Sequence, residues 1–262
     1  MRIAVCIKQV PDPQAPAASF YVDEAANEPR WSPPAEELVS TFDLHAIEAA
    51  AVIKEQTGAH VSVLCLGGPA VEKGLRRALA GGGDEAVRVD AAAVPGGDRA
   101  AVAAALAAAV RKLGEVDLVL CGRIAADWDM GHVPGMLAEY LGFALVTPVR
   151  AFAIAGTTAR VERVTDDGFE VLEVDLPAVL AVSNEVNEPR YPTMRAVLDA
   201  QRKPVATWTA ADLGLAPVPG PLVTLKRLSP AGFGRECEVI DGGSPEESGT
   251  LLAGVLHAQG LA

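Results

Sequence analysis

Two polar loops hold most of the residues able to do chemistry. The first reads Gly122-Arg123-Ile124-Ala125-Ala126-Asp127-Trp128-Asp129-Met130-Gly131-His132-Val133-Pro134-Gly135 and follows an almost wholly apolar run, Val116 to Cys121. Its glycines let backbone approach a ligand closely, and a helix starting near Gly131 to Pro134 would aim unpaired N–H groups and a positive dipole end at a phosphate. The second loop, Asn184 to Lys203, follows the apolar run Val179 to Val182 and stacks charge and two prolines ahead of a helix starting near Thr193. Pro189 and Pro192 bracket Arg190 and Tyr191 and stiffen the chain, and Met194 follows as a flexible apolar knob. A stiff loop with one apolar anchor loses little entropy on docking and suits a transient partner. From the residues alone, either loop also reads as an ordinary connection.

Other chemistry is poorly supported. There is no Walker A lysine motif, no strand followed by G-x-G-x-x-G, and no G-x-S-x-G elbow. His45, His60, His132 and His257 lack the pairing of a metal site. Asp166, Asp167 and Glu170 cluster in a turn, where charge is ordinarily solvated. Lys8 closes the first strand and is a candidate for the sheet rim. The net charge of −12 argues against nucleic acid and anionic membrane surfaces, which need clustered Lys and Arg. Cys6, Cys65, Cys121 and Cys237 are scattered, three of them in strand-like runs, and read as thiols of a reducing compartment rather than a disulfide or metal framework. Met1-Arg2 runs straight into the first strand, so the expectation is a cytoplasmic protein without a secretory signal. The alanine-rich stretch from Ala100 to Val110, preceded by Pro95, Gly96 and Gly97, is too short and too weakly apolar for a membrane span.

The elements that must position these loops alternate. Strands are expected at Arg2 to Ile7, His60 to Leu66, Glu85 to Val89 and Val116 to Cys121, and helices at Asp43 to Thr57, with Asp43 as N-cap, Ala70 to Ala80, and Asp98 to Leu113. Strands apolar throughout imply a parallel sheet covered on both faces, and right-handed crossovers make it doubly wound. The fold class is therefore α/β, Rossmann-like, with ligands expected where strand order reverses, at the carboxyl ends of the strands. Arg150 to Ala155, Thr158 to Val164 and Phe169 to Val174, separated by turn chemistry, predict a small antiparallel insertion over 150–175. Ala178 to Val182 returns to the parallel sheet. From 204 onward, Pro204, Pro217, Pro219, Pro221, Pro230 and Pro245 among many glycines predict an extended arm without a core of its own. That arm ends in an amphipathic helix, Glu246 to Leu261, with Leu251, Leu252, Val255 and Leu256 on one face. The division expected is one domain over 1–203 and the arm over 204–262.

The segment Asn187-Glu188-Pro189-Arg190-Tyr191, with the acidic hairpin Arg163 to Glu170 and Leu176-Pro177-Ala178 before it, resembles the signature region of the beta subunit of electron transfer flavoprotein. The resemblance extends through Ile7 to Asp12, Phe42-Asp43, Arg77 to Ala80 with Gly83-Asp84, and Asp117 to Gly122. It implies an adenine nucleotide alpha hydrolase-like fold and a heterodimer with an alpha subunit, which holds most of the redox FAD and is embraced by the C-terminal arm. A nucleotide site is implied at Cys6, Ser40, Thr41, Phe42, Asp43, Leu66, Gly122, Arg123, Ile124, Ala125, Ala126, Asp127, Trp128, Asp129, Met130, Gly131, His132 and Val133. AMP is its first expected occupant, a second FAD the occupant in electron-bifurcating members, and an altered or vacant site the remaining alternative. The chain departs from the family pattern at Ser40, Ile124 and His132-Val133, which thins the side-chain donors but leaves backbone N–H groups. The loop 184–203 would dock a donor flavin dehydrogenase through Glu188, Arg190, Tyr191 and Met194, with Arg190 bracing it through Glu188 or a nearby carboxylate. Electrons would leave towards a quinone oxidoreductase, and this chain would be a carrier subunit rather than an enzyme.

Overall fold

The computed structural model describes residues 1–94, 98–215, 223, 225–229 and 237–261. Its centre is a nine-stranded sheet in the order β11-β10-β9-β12-β8-β1-β6-β7-β13. The parallel strands are β1 (Arg2–Ile7), β6 (His60–Gly67), β7 (Glu85–Asp90), β8 (Leu118–Gly122), β12 (Ala178–Val182) and β13 (Val205–Trp208). In β8 and β12 every residue is buried, as expected of strands covered on both faces.

Alternation within β1 divides the core. Ile3, Val5 and Ile7 face one layer with Ile47 of α1 (Thr41–Thr57) and Leu75 and Leu79 of α2 (Glu72–Ala80). Ala4 and Cys6 face the other, with Leu106 of α3 (Arg99–Lys112) and Leu137 of α4 (His132–Leu141). From β1 the chain runs outward to β6 and β7, then returns to place β8 on the opposite side of β1. Strand order therefore reverses between β1 and β8.

β9 (Ala144–Ala155) begins six residues earlier than expected. Its first half pairs parallel with β12, and its second half opens the antiparallel meander with β10 (Thr158–Thr165) and β11 (Gly168–Asp175). Between β1 and α1 the sequence reading assigned no strands. The chain there forms two ribbons, β2 (Gln9–Pro11) with β5 (Glu37–Val39), and β3 (Phe20–Asp23) with β4 (Glu28–Trp31). These strands are three or four residues long, too short for periodicity to register.

Two expectations are corrected. Asp43 is not the N-cap of α1: the helix starts at Thr41 after Ser40, and Asp43 lies in its first turn, buried towards the sheet. An arm does not begin at 204, because Val205–Trp208 pairs with β7 from Ala86 to Val89 as an edge strand. Four residues beside a proline carry too little pattern to announce a strand. Met1–Leu228 forms one compact unit and Ser229–Ala262 a second, in which α6 (Pro245–Ala258) buries none of its described residues. Pro95, Gly96, Gly97, Pro217, Pro219, Pro221 and Pro230 of the sequence reading lie outside the described residues. Among the described residues no helix is long and apolar enough to cross a membrane.

Candidate nucleotide site and docking loop

At the reversal of strand order one carboxylate joins the two strand ends. Asp43 Oδ2 accepts the N–H of Lys8 at 2.7 Å, just past β1, and Oδ1 accepts the N–H of Gly122 at 2.9 Å, at the end of β8. Gly122 must be glycine, since a Cβ there would lie 2.6 Å from Phe42 Cβ and 2.7 Å from Asp43 Oδ1. Burial raises the Asp43 pKa to about 7 against the pull of these two N–H groups and of the Lys8 charge, and Asp127 pushes it the same way as burial.

The loop after β8 is folded back on this base. Arg123 N–H donates to Val182 O at 2.9 Å, and its guanidinium lies 4.9 Å from the centre of the Phe42 ring. Ala126 N–H donates to Ser40 Oγ at 3.4 Å, and Asp129 N–H to Ala125 O at 3.0 Å. Lys8 Nζ reaches Asp127 Oδ2 at 2.5 Å and ties the loop to β1. The loop ends at Gly131, whose φ of 62° is left-handed and whose added Cβ would meet Arg123 O at 3.1 Å. α4 then starts at His132 with no side-chain cap for its first-turn N–H groups; His132 is exposed, Val133 half-buried, and Pro134 supplies no N–H.

Two buried polar atoms in the loop make no hydrogen bond among the described residues: Arg123 Nε and Asp127 Oδ1. A buried donor and a buried acceptor left open beside an uncapped helix start have the chemistry of a phosphate and ribose cradle. An adenine nucleotide therefore fits the residues present.

Of the residues expected at this site, Ser40, Phe42, Asp43 and 122–133 come together around the switch point. Thr41 is the exposed first residue of α1, Leu66 lies half-buried near the end of β6, and Cys6 is buried in β1. Burial holds the Cys6 thiol at about 12, which leaves it no nucleophilic role at neutral pH. Trp128 and Met130 are exposed on the loop surface. The sequence places Lys8 at the sheet rim without naming a partner; that partner is Asp127.

The second loop is pinned to α1. His45 Nδ1 lies 2.9 Å from Asn187 O, and Asn187 Nδ2 donates to His45 O at 3.0 Å. Arg190 Nε donates to Glu48 Oε1 at 2.9 Å, Nη2 lies 2.7 Å from the same oxygen, and Nη1 donates to Glu55 Oε1 at 2.5 Å. Glu55 and Glu48 hold the guanidinium even further above its usual range. The brace thus runs to two carboxylates of α1, whereas Glu188 stays exposed. Beyond it Tyr191 is 92% and Met194 76% exposed. Thr193 Oγ1 accepts the N–H of Ala196 and caps α5 (Met194–Ala200). Leu198, one turn on from Met194, is also exposed, so the tip carries an apolar stripe rather than a single knob.

A doubly wound, mostly parallel sheet with helices on both faces, a polar loop at its switch point and a braced tip after β12 defines a Rossmann-like α/β protein. The electron transfer flavoprotein domain family matches residues 35–213. Over 222 residues the chain is 39% identical to the caffeyl-CoA reductase-Etf complex subunit CarD of Acetobacterium woodii, covering 83% of this chain and 81% of that protein. It is 37% identical to the electron transfer flavoprotein subunit beta of Clostridium acetobutylicum over 214 residues, 81% and 80% of the two chains. To Protein FixA of Azorhizobium caulinodans it is 33% identical, with 99% and 95% covered. The chain belongs to the electron transfer flavoprotein family, on its beta-subunit side, and its work is electron transfer.

Proposed function

We propose that this chain is the beta subunit of a heterodimeric electron carrier that accepts electrons from flavin dehydrogenases and passes them towards a quinone oxidoreductase. The redox FAD is held mainly by an alpha subunit, and this chain holds AMP in the loop 122–133. The observation that carries the reading is the tip: Tyr191 and Met194 stand in solvent on a segment locked to α1 by His45, Glu48 and Glu55. Ordering a loop before its partner arrives lowers the cost of association while leaving contacts few enough for fast release. When bound, the flavin supplies the electron transfer itself. The chain's own residues place the nucleotide loop and present the tip.

A second reading is favoured by the likeness to the subunit of a caffeyl-CoA reductase-Etf complex: a bifurcating carrier with a second FAD in this chain and NADH as donor. Co-expression with the alpha subunit, followed by identification of the released small molecules, tests both. One FAD and one AMP per heterodimer supports the first reading, and two FAD the second. A stable monomer that recruits no alpha subunit overturns both in favour of a stand-alone nucleotide-binding module.

A further inference from the structure

The family resemblance places Asp43 among the residues touching the nucleotide, but the geometry gives it a different task. We propose that Asp43 is a positioning residue that fastens the ends of β1 and β8 to each other, and so aims the loop 122–133 at its ligand, without touching the ligand itself. The proposal rests on the nucleotide-site reading above and deepens it.

Both carboxylate oxygens are already engaged, one by the N–H of Lys8 and one by that of Gly122. The residue is 5% exposed, and the missing Cβ of Gly122 is what lets the strand end close on Oδ1. A ligand-binding carboxylate would keep an oxygen free of protein donors; Asp127 does so, its buried Oδ1 having no hydrogen-bond partner among the described residues, and Asp43 does not. The parallel pairing of β1 with β8 ends at Cys6 opposite Cys121, one residue short of the end of each strand. Asp43 spans the gap from a third element, α1, whose N-cap residue Ser40 accepts the N–H of Ala126 farther along the same loop. The charged group facing Asp43 from β1's end is Lys8, and from the loop Asp127; the titratable groups beneath it are the thiols of Cys6, Cys65 and Cys121.

The test is Asp43→Asn, which keeps size but replaces one acceptor by a donor facing a donor. AMP binding by calorimetry is expected to weaken about tenfold at pH 8. The ratio of variant to wild-type Kd should shrink towards one at pH 5.5, where the wild-type carboxyl is itself protonated; taking the ratio cancels the titration of AMP. A ratio constant with pH overturns the positioning role, as does unchanged affinity. Amide exchange in the nucleotide-free chain supplies an independent arm: Lys8 and Gly122 should exchange at least about tenfold faster in the variant while Val63 in β6 does not. Equal protection at Lys8 and Gly122 overturns the proposal even if AMP affinity falls. If wild-type protein binds no AMP, the nucleotide reading fails, and the exchange arm still decides the role of Asp43. Should Asp43→Asn not fold, the wild-type amide resonances of Lys8 and Gly122 are followed with pH: a shared midpoint near neutrality supports the proposal, and two unrelated midpoints, or none, overturn it.

Discussion

Arg190 grips Glu48 with two nitrogens, Nη2 at 2.7 Å and Nε at 2.9 Å from the same Oε1, across 142 residues of chain. Glu48 is almost fully covered, with its side chain 8% exposed, while that of Arg190 is 46% exposed, so the tip is anchored to a covered carboxylate through a half-solvated guanidinium. Glu48→Gln keeps the shape and removes the charge. A charge-assisted bond contributes about 1.5–3 kcal/mol, so amide exchange over 187–193 should quicken at least about tenfold while α3 is unchanged. Exchange as slow as in wild type would assign the stiffness of the loop to its prolines alone.

Met194→Ala removes the most exposed apolar side chain of α5 without touching any brace. Electron transfer from the cognate flavin dehydrogenase should slow about tenfold or more, while heterodimer yield and nucleotide content stay at wild-type levels. Met194→Leu, which conserves volume, should retain most of the rate. Stopped-flow reduction of the carrier reads both, and an unaltered rate in the alanine variant would remove the tip from the docking site.

Much of this architecture is legible in the sequence, because the buried parallel strands are continuous apolar runs and the crossover helices have ordinary lengths. The loop 122–135 is visible for the same reason: it interrupts such a run with glycines and charge. What the sequence conceals is pairing at a distance. Asp43 reads locally as a helix cap, and only the convergence of Lys8 and Gly122 on it reveals the other function. Likewise Arg190 is recognisable as a brace, but nothing local names Glu48 and Glu55 as its partners. Val205–Trp208 is hidden because only its two ends are partly buried, Val205 against one core layer and Trp208 against the other, and four residues leave no alternation to display.

Gly131→Ala tests the corner between the loop and α4. A left-handed φ costs a residue with a Cβ about 1–2 kcal/mol, and the new methyl would press on Arg123 O at 3.1 Å. The melting temperature should fall by roughly 2–8 °C on that account. AMP retained through purification should fall with it, whereas the same substitution at Gly156, also left-handed but open on all sides, should leave AMP untouched.

Asp43 also makes stability depend on pH. Its pKa rises from 3.8 to about 7 on folding, so the folded chain binds the extra proton between these values. Stability from this group is complete below about pH 4 and is lost as pH climbs through 7. Asp84, Glu85 and Glu36 are shifted the other way, and their contribution is lost only on acidification below the ordinary carboxylate range. Between pH 5.5 and 8 the wild-type melting temperature should therefore decline more than that of Asp43→Asn. Parallel declines in calorimetry would show that Asp43 does not carry the effect.

The thiols should divide sharply. Burial pushes Cys6 and Cys65 to about 12 and Cys121 well above its usual value, while Cys237 is exposed. A thiol reagent at pH 8 should consume one equivalent quickly and three more only in denaturant, and Cys237→Ser should abolish the fast phase. A fast second equivalent would mean that the strand ends open far enough to admit reagent.

Ser40 and Asp43 at the head of α1 hold the loop 122–133, and His45, Glu48 and Glu55 farther along the same helix hold the tip. The two regions thus share one spar. A change that tilts this helix to reset the tip also moves the loop 122–133, so drift at one region has to be matched by readjustment about Gly122, and neither end of the helix is free to evolve alone.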